Sequence, residues 1–292
     1  MKAPRHFFAR GKLLITGEYG VVHGAKALAV PTRLGQHLTY TPGADALTWT
    51  ALDVHGNAWL QGVVAEDGAL GLVRACIQAA LELRGETTWP TGQVETRLEF
   101  ERHWGWGSSS TLIALIAQWL DVDALALHFE VSKGSGYDVA CATAPGPLFF
   151  KRHGNHAHVH PADLRSWPTD ALYLVYLGQK KDSQDALAKY LKKPMDAEAL
   201  QTLSAFSERF EGATTAEELA QACVDHEAFL APHLGIPSPV EELCQNAYAG
   251  GKSLGAWGGD FALMVSQKPN ALEYLQSHDL GPVFSWKEVC LG

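Results

Sequence analysis

This chain lacks several features that would assign it a function class at sight. Its five cysteines are an odd number and contain no Cys-x-x-Cys pair. Neither a disulfide framework nor a structural zinc site is expected, and a reducing cytosol is the simplest compartment. No apolar run approaches the roughly 20 residues of a membrane helix. The opening Met1-Lys-Ala-Pro-Arg-His-Phe-Phe8 has no long apolar stretch, so no signal peptide is expected. Basic charge is also short: 23 Lys and Arg against 32 Asp and Glu, a net −9, which argues against a general nucleic-acid binder. The patterns His-Glu-x-x-His and Gly-x-x-x-x-Gly-Lys-Ser/Thr are absent, which sets aside zincin chemistry and a Walker phosphate loop.

What is present is 292 residues, 47% of them apolar, enough for a full core in two lobes that share an interface. Short strands are expected at Phe7–Ala9, Leu13–Thr16, Ala27–Val30 and Gln36–Tyr40, and a hairpin at Leu47–Leu52 and Ala58–Val63. Leu70–Leu83 has apolar residues at helical spacing. Val94–Phe100 alternates like a strand, and Ser110–Leu120, apolar almost all round, reads as a buried helix. Leu148–Lys151 and Ala171–Leu177 are expected strands. Helices are expected at Ser183–Lys192, Asp196–Phe210, Thr215–Phe229, Pro239–Ala249 and Asn270–Ser277, with a strand at Phe261–Ser266. Strands early, helices later and strands again make an α+β protein.

Three glycine-rich segments stand out. Gly11 to Val30 places Lys12 and Glu18 in strand-like apolar sequence around a turn. Gly105-Trp-Gly-Ser-Ser-Ser110 joins a strand to the apolar helix. Free N–H groups at such a helix start, flanked by small residues, suit a phosphate. A serine hydroxyl there also suits Mg²⁺. Gly255-Ala-Trp-Gly-Gly-Asp260 runs into a strand. Between the second and third lies Gly134-Ser-Gly-Tyr-Asp138, one carboxylate after a flexible turn. A carboxylate within reach of an alcohol can take its proton as a phosphate bond forms.

In this order and at these distances, the three segments resemble the motifs of the GHMP small-molecule kinases. Gly-Ser-Gly-Tyr-Asp138 resembles the Ser-Gly-x-Asp element of the mevalonate and phosphomevalonate kinase branch. Trp106 and Trp257 stand where that family carries smaller residues. The resemblance implies a two-lobed fold. Residues 1–165 would form a nucleotide-binding lobe like ribosomal protein S5 domain 2, and 166–292 a ferredoxin-like lobe. It implies ATP and Mg²⁺ as cofactors and a small-molecule acceptor, with Asp138 as base and Lys12 beside it. Gly105, Gly107, Ser108, Ser109 and Ser110 would hold phosphates, and Ser109 with Glu130 the metal. Glu18, His23, Gly258, Gly259, Asp260 and Lys181 would line the substrate pocket. A monomer or homodimer with neither nucleic acid nor membrane as partner is expected. Two other readings stay open: a silent ligand-binding protein, and an ATP-dependent decarboxylase of the same fold.

One cluster falls outside this scheme. His153, His156, His158 and His160 crowd one short stretch, and on a strand the last three would face one side. Their spacing fits no zinc-enzyme signature, so a surface hairpin without a specific metal is expected.

Overall fold

The computed structural model describes residues 3–64, 68–178, 194–235, 237–241, 243–244, 250–255, 260–268, 270–277 and 281–292. The expected helix at Ser183–Lys192, most of that at Pro239–Ala249, and Lys181, Trp257, Gly258 and Gly259 lie outside them.

Two sheets organise the molecule. The first contains β1 (Arg5–Thr16), β2 (Ala27–Pro42), β3 (Thr48–Leu52), β4 (Ala58–Val63), β5 (Gly92–Leu98), β6 (Leu148–His153) and β7 (His156–Pro161). They run in the order β4-β3-β5-β2-β6-β7, with β1 also paired to β2. Each pairing is antiparallel except that of β3 with β5. The second sheet contains β8 (Leu172–Tyr176), β9 (Gly250–Leu254), β10 (Phe261–Val265) and β11 (Val283–Ser285), in the order β11-β8-β10-β9.

The two short strands expected on either side of Gly11 are one long strand with a register shift between Arg10 and Lys12. Ala27–Val30 and Gln36–Tyr40 likewise merge into β2. Pro31 interrupts the pattern in sequence but sits within the strand opposite Lys12. Sequence periodicity breaks at such irregularities, while hydrogen bonding continues around them.

Helices α1 (Gly71–Arg84) and α2 (Ser108–Leu120) pack on the first sheet over a core that includes Trp49, Ile77, Leu115 and Trp119. Helices α3 (Ala124–Val131) and α4 (Tyr137–Thr143) follow; neither was expected from the sequence. The short apolar stretches that form them are too brief to show a clear helical period. A second core joins the sheets: Leu13, Ile15, Leu28 and Trp106 from one side meet Leu174, Phe210, Leu219, Phe261 and Trp286 from the other. Helices α5 (Ala197–Glu211) and α6 (Ala216–Leu234) belong to this junction. Asp196 caps α5 through Ala199 N–H, and Thr215 and Glu218 cap α6 reciprocally. Short helices α7 (Ala271–Gln276) and α8 (Trp286–Val289) complete the chain.

Candidate active site

The second glycine segment ends a turn and begins α2. Gly107 occupies the N-cap in the left-handed region, φ 88°, with no side chain capping the helix. The first-turn N–H groups are thus left for an outside acceptor. Ser108 is half-buried and Ser109 exposed, while Ser110 is buried and donates its hydroxyl back to Gly107 O at 2.8 Å. Of the three serines, only Ser108 and Ser109 therefore have room to meet a ligand.

Lys12 is brought to this turn by β1. Its backbone N–H donates to Trp106 O at 3.0 Å, which pins the strand against the loop. Its side chain then passes Gly107: a Cβ there would lie 3.3 Å from Lys12 Cγ and 3.4 Å from Cε. The ammonium stands 5.4 Å from the centre of the Tyr137 ring. Burial works against its charge. The surrounding Tyr137, Asp138 and Asp260 more than offset this, so the pKa lies above the ordinary lysine value. Lys12 is therefore a fixed positive charge.

Asp138 is half-buried in the first turn of α4, which packs against β1 and α2. Asp260 reaches the site from the second sheet. It is buried, has a left-handed φ of 47°, and its carboxylate lies directly over Gly105. A Cβ on Gly105, whose own φ is 67°, would fall 1.8 Å from Asp260 Oδ2. The loop and the third glycine segment can approach this closely only with glycine at that position.

The other expected site residues are placed differently. Glu18 is 1% exposed: its Oε1 accepts from Lys252 Nζ at 2.5 Å, and its Oε2 is 3.2 Å from His226 Nε2. Burial would raise its pKa, but Lys252 and His226 outweigh that and lower it, so it is ionised. This geometry makes Glu18 a buried tie between β1's end and β9 among the described residues. His23 is exposed at the end of the 3-10 turn Gly20–His23. Glu130 is exposed on α3. Among the described residues no three His, Cys, Asp or Glu side chains gather as a metal site, and that includes the histidine cluster.

Sequence reasoning missed Lys252, His226 and Glu227. Lys252 is 0% exposed and also donates to Ser253 O at 2.6 Å. Glu227 accepts from Ser253 N–H at 3.0 Å and Ser238 Oγ at 2.5 Å, and burial lifts its pKa to about 7. A lysine within the glycine-rich run Gly250-Gly-Lys-Ser-Leu254 was the available signal. Its partners, on α6 and in the first segment, are far away in sequence.

The tryptophans of the loop turn inward. Trp106 is 1% exposed and packs on Phe100 and Phe261, at ring separations of 5.8 and 5.3 Å. Trp104 meets Trp106, Phe261 and Phe284 edge-on. They anchor the loop to the second sheet instead of filling the space above it.

No protein-family model matches this sequence, and comparison with curated protein sequences finds no match. Solved structures do match along nearly the whole chain. Streptococcus pneumoniae phosphomevalonate kinase, in complex with phosphomevalonate and AMPPNP, superposes with a TM-score of 0.78 at 13% identity, over 96% of this chain and 99% of that one. Methanococcus jannaschii mevalonate kinase gives 0.72 at 15% identity, over 97% of each chain. Lactococcus lactis galactokinase complexed with galactose gives 0.67 at 14% identity, over 94% and 88%. From end to end, this chain is built on the GHMP kinase fold, similar to that of the mevalonate and phosphomevalonate kinases.

Proposed function

We propose that this chain is an ATP- and Mg²⁺-dependent kinase that phosphorylates a small mevalonate-like alcohol or a phosphomevalonate-like acid phosphate. One observation carries the reading: the Lys12 side chain runs past Gly107 at the uncapped start of α2, with Tyr137, Asp138 and Asp260 around its ammonium. Phosphoryl transfer asks chiefly for positioning and for neutralising charge on the moving group. The N–H groups at the start of α2 would bind the triphosphate, and Lys12 would balance its charge. With an alcohol acceptor, Asp138 would take the hydroxyl proton. With a phosphate acceptor little deprotonation is needed, and Asp138 would orient the acceptor.

The donors present fit Mg²⁺, which takes hard oxygen ligands and keeps several waters. The hydroxyls of Ser108 and Ser109 would hold it together with nucleotide oxygens and one of the carboxylates at this mouth. Glu130, on α3, is a weaker candidate than Asp138 or Asp260, whose charges already act on Lys12. The ion would supply charge neutralisation across the phosphates. Residues 1–165 and 166–292, carrying one sheet each, would form the two lobes around the nucleotide, in a protein of the cytoplasm.

The test is ADP release, with acceptors supplied one at a time: mevalonate, phosphomevalonate, homoserine and simple sugars. Acceptor-dependent ADP release with a phosphorylated product supports the reading. Carbon dioxide release would replace it with a decarboxylase, and nucleotide binding without turnover on any acceptor would replace it with a silent binding protein.

A further inference from the structure

The histidine cluster left over from the sequence forms part of a hollow. Lys26, Phe149, Phe150, Lys151, His153, His158 and His160 line a space of about 310 Å³. That is the lower end of the size range of small-ligand pockets. The register of β6 and β7 explains the convergence: Phe149 lies opposite His160, Lys151 opposite His158, and His153 opposite His156. His153 and His158 rings are 4.9 Å apart, and those of His158 and His160 6.4 Å. Lys26 comes from the first glycine segment, 5.3 Å over the Phe149 ring, and its ammonium pairs with Glu208 of α5 at 2.5 Å.

We propose that this hollow binds a small organic anion bearing a phosphate group. The groups that line it are of one potential sign, on a chain whose net charge is −9. Like charges directly opposite on paired strands are destabilising, and Lys151–His158 and His153–His156 become such pairs whenever the imidazoles are protonated. A multivalent anion among them relieves that repulsion and accepts hydrogen bonds from several sides, as phosphate does. The Phe149 ring gives an apolar wall for the ligand's carbon portion. A metal cation fits poorly: two ammonium groups share the space, and among the described residues no three ligating side chains converge. The hollow is too small for a folded partner, and the overall charge disfavours nucleic acid.

The charged and titratable groups that line the hollow are Lys151 and His153 from β6, His158 and His160 from β7, and Lys26 from the first segment; His156, paired with His153 across the strands, and Glu208 of α5 lie beside it. No carboxylate is among the described residues that line it, and the neighbouring Glu208 is paired with Lys26. The site does not depend on the proposed kinase activity.

The test uses inorganic pyrophosphate as probe and the imidazole ¹H–¹³C signals of the intact chain as local readout. Saturable shifts of His153, His158 and His160 are expected at pH 6. Lys151→Gln, at an exposed position, should weaken binding about tenfold at unchanged thermal stability. Ser109→Ala should leave these shifts intact, which separates the hollow from the phosphate loop. The proposal is overturned if pyrophosphate leaves the three signals unmoved at pH 6, if chloride of equal ionic strength moves them as much, or if Lys151→Gln binds as tightly as the parent. Stoichiometric Zn²⁺ binding at the same imidazoles without a pyrophosphate response would also overturn it.

Discussion

Lys252 Nζ lies 2.5 Å from Glu18 Oε1, although 234 residues separate them and neither is more than 1% exposed. The pair ties the first glycine segment to the strand that leads into the third. It is a buried ion pair with His226 as neighbour, and burial keeps that imidazole's pKa below its ordinary value despite Glu18. Removing one partner would strand the other charge in the core. Lys252→Met should therefore cost about 3–5 kcal/mol of stability, read by urea unfolding. Glu18→Leu combined with Lys252→Met should cost less than the two single changes added together. An additive double variant would show that the two charges act independently.

Glu227 gives the fold a pH dependence of known sign. Burial raises its pKa from the ordinary 4.5 to about 7, against the pull of Lys252, Ser238 and Ser253. Between these values the folded chain holds a proton that the unfolded chain has released. Its stabilising contribution is thus complete below pH 4.5 and is lost as the pH rises through about 7. Glu227→Gln should flatten the stability profile in that window, by about 3 kcal/mol across it. Unfolding curves of both proteins from pH 4.5 to 8 check this; parallel profiles would contradict it.

Gly105→Ala should damage the loop by two separable routes. The left-handed backbone alone costs an alanine about 1–2 kcal/mol. The clash of its Cβ with Asp260 adds to that. In an Asp260→Ala background only the backbone part should remain, so Gly105→Ala should cost less there. Thermal melts of the four proteins in this cycle decide it, with equal costs in both backgrounds as the contrary result.

Ser109 and Ser110 should part company although they are adjacent. Ser109→Ala, at an exposed position, should weaken Mg·ATP binding with little change in stability. Ser110→Ala removes a buried hydroxyl that bonds Gly107 O, and should cost about 1 kcal/mol of stability. Nucleotide titration and melting of each variant separate the two.

Part of the fold was legible in sequence because glycines and serines at a strand-to-helix turn leave a local signature. The strand-to-helix turn at Gly105–Ser110, and helices such as Gly71–Arg84, follow from short-range pattern. The merging of β1 across Gly11 was not legible, because a bulge breaks alternation without breaking the strand. Nor was the fate of Glu18. An acidic residue in a glycine segment looks the same whether it faces a substrate or a buried lysine, and Lys252 is brought to it only by the pairing of β9 with β10 and the packing of the two sheets. The direction of Trp104 and Trp106 depends likewise on Phe261 and Phe284, which belong to distant strands.

The most direct test of the whole account is ³¹P NMR of the protein with ATP, Mg²⁺ and either mevalonate or phosphomevalonate, run beside Asp138→Asn. The account predicts equal amounts of ADP and phosphorylated acceptor. It also predicts a rate about 10²–10⁴-fold lower in the variant when the acceptor is the alcohol, with nucleotide binding retained. Unchanged transfer to the alcohol by Asp138→Asn, or bound ATP that is never passed to any acceptor, would contradict it.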